Sequence, residues 1–179
     1  CFLTFFGYCA LEMTTSLWAS SYLTQAKGIP SEIASGCASL FYIGITVGRA
    51  INGFLSMKFC DRFLIRLGLG IICTGILLVF VPFGSIFALI GFVVIGLGCA
   101  PVYPCIIHMT PDLFGRDKSQ SIMGVQIACA YTGFCIMPPL FGVIADHITI
   151  SLLPFYLLVL LALMIVMHET VVVKTKNGH

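Results

Sequence analysis

Charge is what this sequence has least of. Only 9% of its 179 residues are Asp, Glu, Lys or Arg, against about 25% in a soluble domain. With 59% hydrophobic residues and a mean hydropathy of +1.09, its apolar surface cannot all be hidden in one small core, and lipid must solvate much of it. Period-two alternation is missing too: the apolar runs are continuous and far longer than the ~10 residues of a barrel strand, which excludes a membrane β-barrel. Nine cysteines are present, yet there is no CxxC pair and no Cys/His cluster at zinc spacing, and all but Cys1 and Cys60 lie well within apolar stretches. They read as small helix-packing residues. No serine elbow or nucleophile–base pair accompanies His108, His147 or His168, which fall near span ends. No catalytic residue, metal, cofactor or nucleic-acid partner is therefore expected, and the chain is not read as an enzyme.

The first residue is Cys1 rather than Met, and it already sits in an apolar run with no basic segment or cleavage site before it. The expectation is that Cys1 is a truncation point and that further membrane spans precede it.

What is present is a series of six apolar runs. A span needs about 20 residues, and the runs cover about 2–22, 33–57, 63–81, 86–107, 119–145 and 152–170. A Lys27-Gly28-Ile29-Pro30 turn separates the first two, with Ser31 as the expected N-cap. The third run ends before Pro82 and Gly84, and Pro154 falls in the first turn of the sixth. The fold class is thus an all-α membrane protein with six transmembrane helices. Lys58, Arg62, Arg66, Arg116, Lys118, Lys174 and Lys176 all fall on one side of such a bundle, and Lys27 alone falls on the other. Basic residues accumulate on the cytoplasmic side. Both ends of the segment are therefore expected to be cytoplasmic, in a multi-pass protein of the cell membrane.

Polar residues inside the spans mark where function is sought, because each is costly in lipid. Glu12 lies mid-span, on a stripe with Tyr8, Thr15, Ser16, Ala19 and Tyr22. It either serves solute or proton handling or bonds a neighbouring helix. Trp18 and Tyr22, at i and i+4, either stack on a sugar ring or form an interfacial belt. On the second span Tyr42, Thr46, Arg49, Asn52, Gly53 and Ser56 share one broad face, and Gly44 and Gly48 form a GxxxG that permits close helix approach. Arg49 lies two turns from the cytoplasmic end, so gating or anchoring is favoured over solute contact, together with Asn52, Lys58 and Arg62. Pro101 and Pro104 bracket Tyr103 in the fourth span, either opening the helix at a site or simply kinking it. Gln126 and Tyr131 lie on the fifth span, which Pro138-Pro139 is expected to break near its outer end.

Taken in order, these features resemble the C-terminal six-helix half of a major facilitator superfamily transporter, of the fucose permease-like branch. The resemblance rests on Gly7-Tyr8, Glu12, Trp18 and Tyr22-Leu23 in the first span and Gly48-Arg49, Gly53 and Lys58 in the second. Tyr103-Pro104 and the run from Pro138-Pro139-Leu140-Phe141-Gly142 to Asp146 complete it. The loop after the second span departs from the superfamily pattern: Met57 stands where an Asp is typical and Asp61 where a basic residue is. The resemblance implies one half of a twelve-helix fold, with an N-terminal half missing here. It implies alternating-access transport of a small polar solute, a sugar, coupled to protons. From the residues themselves, Glu12, Trp18, Tyr22, Tyr103 and Gln126 are the candidate solute-binding residues. The proton-carrying carboxylates would belong to the missing half. The alternative is a non-transporting six-span partner or scaffold.

Overall fold

A computed structural model describes residues 2–81 and 85–176, which form six α-helices. Cys1, Pro82 and Gly84 lie outside the described residues, as do the side chains of Arg116, Lys118, Lys174 and Lys176. The helices are α1 (Phe2–Gln25), α2 (Ser31–Leu55), α3 (Asp61–Phe80), α4 (Ser85–Phe114), α5 (Arg116–His147) and α6 (Leu153–Lys176). A short 3-10 turn, Ile150–Leu152, precedes α6. No strand occurs among the described residues.

Among the described residues α2 to α6 are long and apolar enough to cross a membrane. Helix α1 is less apolar. Its 24 residues still reach about 36 Å at 1.5 Å per residue, longer than a ~30 Å hydrocarbon core. Its polarity follows from its position. It packs against α2, α4, α5 and α6, so Thr4, Thr14 and Thr15 meet protein rather than lipid and are buried. Thr15 Oγ1 donates to Leu11 O at 2.8 Å, which lets a hydroxyl sit inside an apolar bundle at little cost.

The most extensive contacts fall within two triplets, α2–α3–α4 and α1–α5–α6, in which α4 and α1 are the shared centres. Glycines set the first triplet. A Cβ at Gly68 on α3 would lie 2.7 Å from the carbonyl of Gly98 on α4, and one at Gly98 would lie 2.7 Å from that of Gly68. Gly44 and Gly48 bring α2 against Val93, Leu97 and Ala100 of α4, so the GxxxG read in the sequence faces α4. In the second triplet a Cβ at Gly133 on α5 would stand 2.6 Å from Phe6 O on α1. Backbone contact this close needs the absence of a side chain, which is how membrane helices gain packing without a hydrophobic driving force.

Three local expectations are corrected. The N-cap of α2 is Pro30 rather than Ser31, which is already helical, and no side chain caps the turn. Gly28, at φ +68°, supplies the left-handed residue that reverses the chain here. Helix α5 continues through Pro138-Pro139 to His147 instead of breaking. Trp18 Nε1 of α1 donates to Pro138 O at 3.1 Å, and Tyr156 OH of α6 donates to Met137 O at 2.9 Å. Neighbouring helices thus anchor α5 at the prolines, whose missing N–H groups leave the carbonyls of Phe134 and Cys135 without their ladder donors one turn earlier. Helix α4 likewise runs on past 107, through Pro101, Pro104 and Pro111.

Polar ties join the two triplets. Arg66 on α3 forms a two-pronged ion pair with Glu169 on α6, both contacts at 2.7 Å. Tyr22 OH reaches Val79 O on α3 at 3.3 Å. Within the first triplet, His108 Nδ1 lies 2.9 Å from Asp61 Oδ2. At the opposite end Lys27 Nζ donates to Val81 O at 2.9 Å, placing a cation on the negative C-terminal end of α3. Partial burial there pulls the Lys27 ammonium below its ordinary pKa.

Candidate functional site

A cavity of about 520 Å³ opens between the two triplets, walled by α1, α2, α4 and α5. Helix α1 contributes residues on one face at helical spacing: Phe5, Cys9, Glu12, Met13 and Ser16. Helix α2 contributes Tyr42 and Arg49, two turns apart, and α4 contributes Tyr103. Ile127, Ala130, Tyr131 and Phe134 of α5 complete the wall.

The wall is aromatic with a few strong polar groups, the composition of a small-molecule site. Tyr103 lies between the prolines of α4 and packs on Phe5, with ring centroids 5.0 Å apart, and on Tyr8 at 6.1 Å. Tyr131 and Phe134 meet edge to face. Ser16 Oγ and Tyr42 OH are hydrogen bonded and join α1 to α2 at the wall. The two charged residues of the wall, Glu12 and Arg49, make no ion pair within 4 Å among the described residues. Glu12 lies one turn from the buried Tyr8, whose hydroxyl finds no hydrogen-bond partner of ordinary geometry.

The five residues singled out for solute contact are not gathered in one place. Glu12 and Tyr103 share the cavity. Trp18 borders a separate shallow hollow with Leu17, Ser21, Pro138 and Pro139, and its ring meets Phe141 edge to face at 5.4 Å. Tyr22 is 4% exposed and meets Phe92 in the core, so it forms no interfacial belt. Gln126 is fully buried between α5 and α4. Its Oε1 lies 3.0 Å from Thr110 Oγ1, and its Nε2 has no partner.

Of the residues assigned to gating or anchoring, Arg49 lies on the cavity wall. Asn52 is 8% exposed with Oδ1 unpartnered. Lys58 is exposed in the α2–α3 connection and Arg62 is half-buried in the first turn of α3, and neither forms an ion pair among the described residues. Tyr42 and Tyr131 were legible as polar positions but not as lining residues. The face that Tyr42 shares with Arg49 was read from its spacing; that this face meets the cavity depends on how α1 and α5 pack beside it.

Comparison with known proteins fits this architecture. The family profile of the Major Facilitator Superfamily matches residues 1–177. The chain is 28% identical to "Bypass of stop codon protein 6" of Saccharomyces cerevisiae, over 97% of this chain and 37% of that protein. It is 30% identical to an uncharacterized MFS-type transporter of Yersinia pestis, over 75% of this chain and 35% of that one. It is 29% identical to "Major facilitator superfamily domain-containing protein 4B" of Danio rerio, over 60% of this chain and 22% of that one. The chain thus spans about a third of the length of the first two relatives.

Proposed function

The chain belongs to the major facilitator superfamily, and from that premise we propose that it is the C-terminal six-helix half of a twelve-helix, fucose permease-like secondary transporter. In this reading it moves a small polar solute, a sugar, by alternating access and together with protons. The observation that carries the reading is the cavity between the triplets. Aromatic faces suit the apolar C–H surface of a sugar ring. Glu12, Arg49, Ser16 and the tyrosine hydroxyls offer donors and acceptors to its hydroxyl groups. The cavity opens beside α1, α2, α4 and α5, the helices that a second half would face in order to enclose a solute near the bilayer midplane.

Glu12 and Tyr103 are the solute contacts in this proposal. Trp18, Tyr22 and Gln126 support the wall from behind. Asn52, Lys58 and Arg62 belong to the cytoplasmic gate, and both ends of the segment lie in the cytoplasm of the cell that carries the protein in its surface membrane. The test is uptake of radiolabelled hexoses by the complete protein in proteoliposomes, with and without an inward proton gradient. Saturable, gradient-driven hexose uptake is expected. Saturable uptake of some other solute class with no hexose uptake would remove the sugar assignment. Hexose uptake insensitive to the gradient would remove the coupling.

A further inference from the structure

The cavity wall carries one carboxylate and one guanidinium, each on a different triplet and neither in an ion pair among the described residues. An arginine facing lipid at this depth would be costly. Arg49 instead lines the cavity, as Glu12 does. The sequence favoured a gating or anchoring task for Arg49, two turns from the end of α2. The geometry gives it a wall position two turns from Tyr42 and on the same cavity as Tyr103.

We infer that Arg49 is a specificity-determining residue, the positive pole opposite Glu12, and that the pair keeps the cavity neutral overall so that it selects solutes without net charge. The inference rests on the cavity being the solute site. Two opposite fixed charges in a partly dehydrated cavity favour a ligand that accepts from one and donates to the other. A neutral polyol does this with its hydroxyl groups. A solute of net charge is attracted by one pole, repelled by the other, and gains nothing for its own desolvation. Removing either pole leaves a net charge on the wall and shifts selectivity toward solutes of the opposite sign.

Cys9 provides a test that needs no knowledge of the solute, because it lies on the same wall one turn before Glu12 and is half-buried. In the complete protein, with all other cysteines replaced by alanine, Cys9 is modified with two methanethiosulfonates, one carrying a sulfonate and one a trimethylammonium group. The thiolate attacks the sulfenyl sulfur, forms the mixed disulfide and releases methanesulfinate. The ratio of the anionic to the cationic rate cancels the intrinsic reactivity of the thiol and reports the local potential.

Glu12→Gln should raise that ratio about tenfold and Arg49→Gln should lower it about tenfold, the effect of one unit charge at several ångströms in an intermediate dielectric. Arg49→Lys keeps the charge and should leave the ratio near wild type, which also provides a reading if the glutamine variant folds poorly. A ratio unmoved by Arg49→Gln would place Arg49 outside the site. A ratio unmoved by Glu12→Gln would mean that Glu12 carries no charge there. Either result overturns the inference. Failure of the sugar reading would appear in uptake alone and leave this ratio unchanged.

Discussion

Gly68 and Gly70 sit two residues apart on α3 and are predicted to respond oppositely to the same substitution. A Cβ at Gly68 would meet Gly98 O at 2.7 Å, Pro101 Cγ at 3.0 Å and Val102 Cγ2 at 3.1 Å, whereas one at Gly70 would meet nothing within 4 Å. The closest of these contacts involves backbone, which cannot rotate away. It falls about 0.7 Å short of the 3.4 Å at which ordinary contact begins, so Gly68→Ala must force α3 and α4 apart or distort one of them. Overpacking of this kind costs about 1–3 kcal/mol. Both alanines gain the same helix propensity, up to about 1 kcal/mol, so the difference between the variants isolates the steric cost. Gly68→Ala should therefore be about 1–3 kcal/mol less stable than Gly70→Ala, and Gly70→Ala should be neutral or slightly stabilised. The assay is reversible unfolding in mixed detergent micelles followed by circular dichroism, with thermal stability of fluorescent fusions as a second measure. Equal losses in the two variants, or a larger loss at Gly70, would refute the assignment of the α3–α4 interface to backbone-level contact at Gly68 and Gly98.

Glu12→Gln is expected to weaken solute affinity several-fold or more without abolishing folding, because a neutral amide replaces charge-assisted hydrogen bonds that are about twice as strong; uptake at several pH values and matched membrane levels checks it, and wild-type affinity, rate and pH dependence would leave Glu12 a packing residue. Trp18→Phe removes the hydrogen bond to Pro138 O and should cost about 1 kcal/mol of stability while leaving affinity unchanged; a large rise in KM at unchanged stability would bring Trp18 into the solute site. Gln126→Leu exchanges one bond to Thr110 for relief of an unpartnered buried amide, so stability should stay within about 1 kcal/mol of wild type with uptake preserved; loss of uptake in a folded protein would show that the amide meets solute.

The helices were legible because each apolar run is as long as a bilayer is thick, and with no period-two alternation to make a closed barrel only a helix satisfies the backbone there. The polarity of α1 was legible as well, since an amphiphilic stripe around Glu12 cannot face lipid. The continuity of α5 was not. Pro138 and Pro139 carry a local signal to break, and the donors that anchor α5 there come from Trp18 and Tyr156, 120 and 19 residues away from their acceptors in sequence. The grouping of site residues failed for a similar reason. Helical spacing places Gln126 on a face of α5, but only the approach of α4 decides whether that face meets Thr110 or open space. Trp18 points to the proline turn and not to the cavity for the same reason. Its sequence neighbours fix its angle around α1, while the placement of α5 fixes what it touches.

The division into two triplets has a mechanical consequence. Inside each triplet the joints include close glycine contacts, most of them against backbone, which are stiff because a close-packed interface has no slack to take up. Between the triplets the described joints include isolated polar contacts: the single bonds of Ser16 to Tyr42, Tyr22 to Val79 and Thr110 to Gln126, and the two-pronged ion pair of Arg66 with Glu169. Such bonds can be broken one at a time for about 1 kcal/mol or less each when exposed. The softest deformation of this bundle is therefore expected to be a hinge along the seam between two rigid bodies. Because α1 and α5 form one bank of the cavity and α2 and α4 the other, that motion changes the cavity's width more than any other dimension. A solute held by both banks would act as one more rivet across the seam, and the stiffness of the bundle would rise when it is loaded.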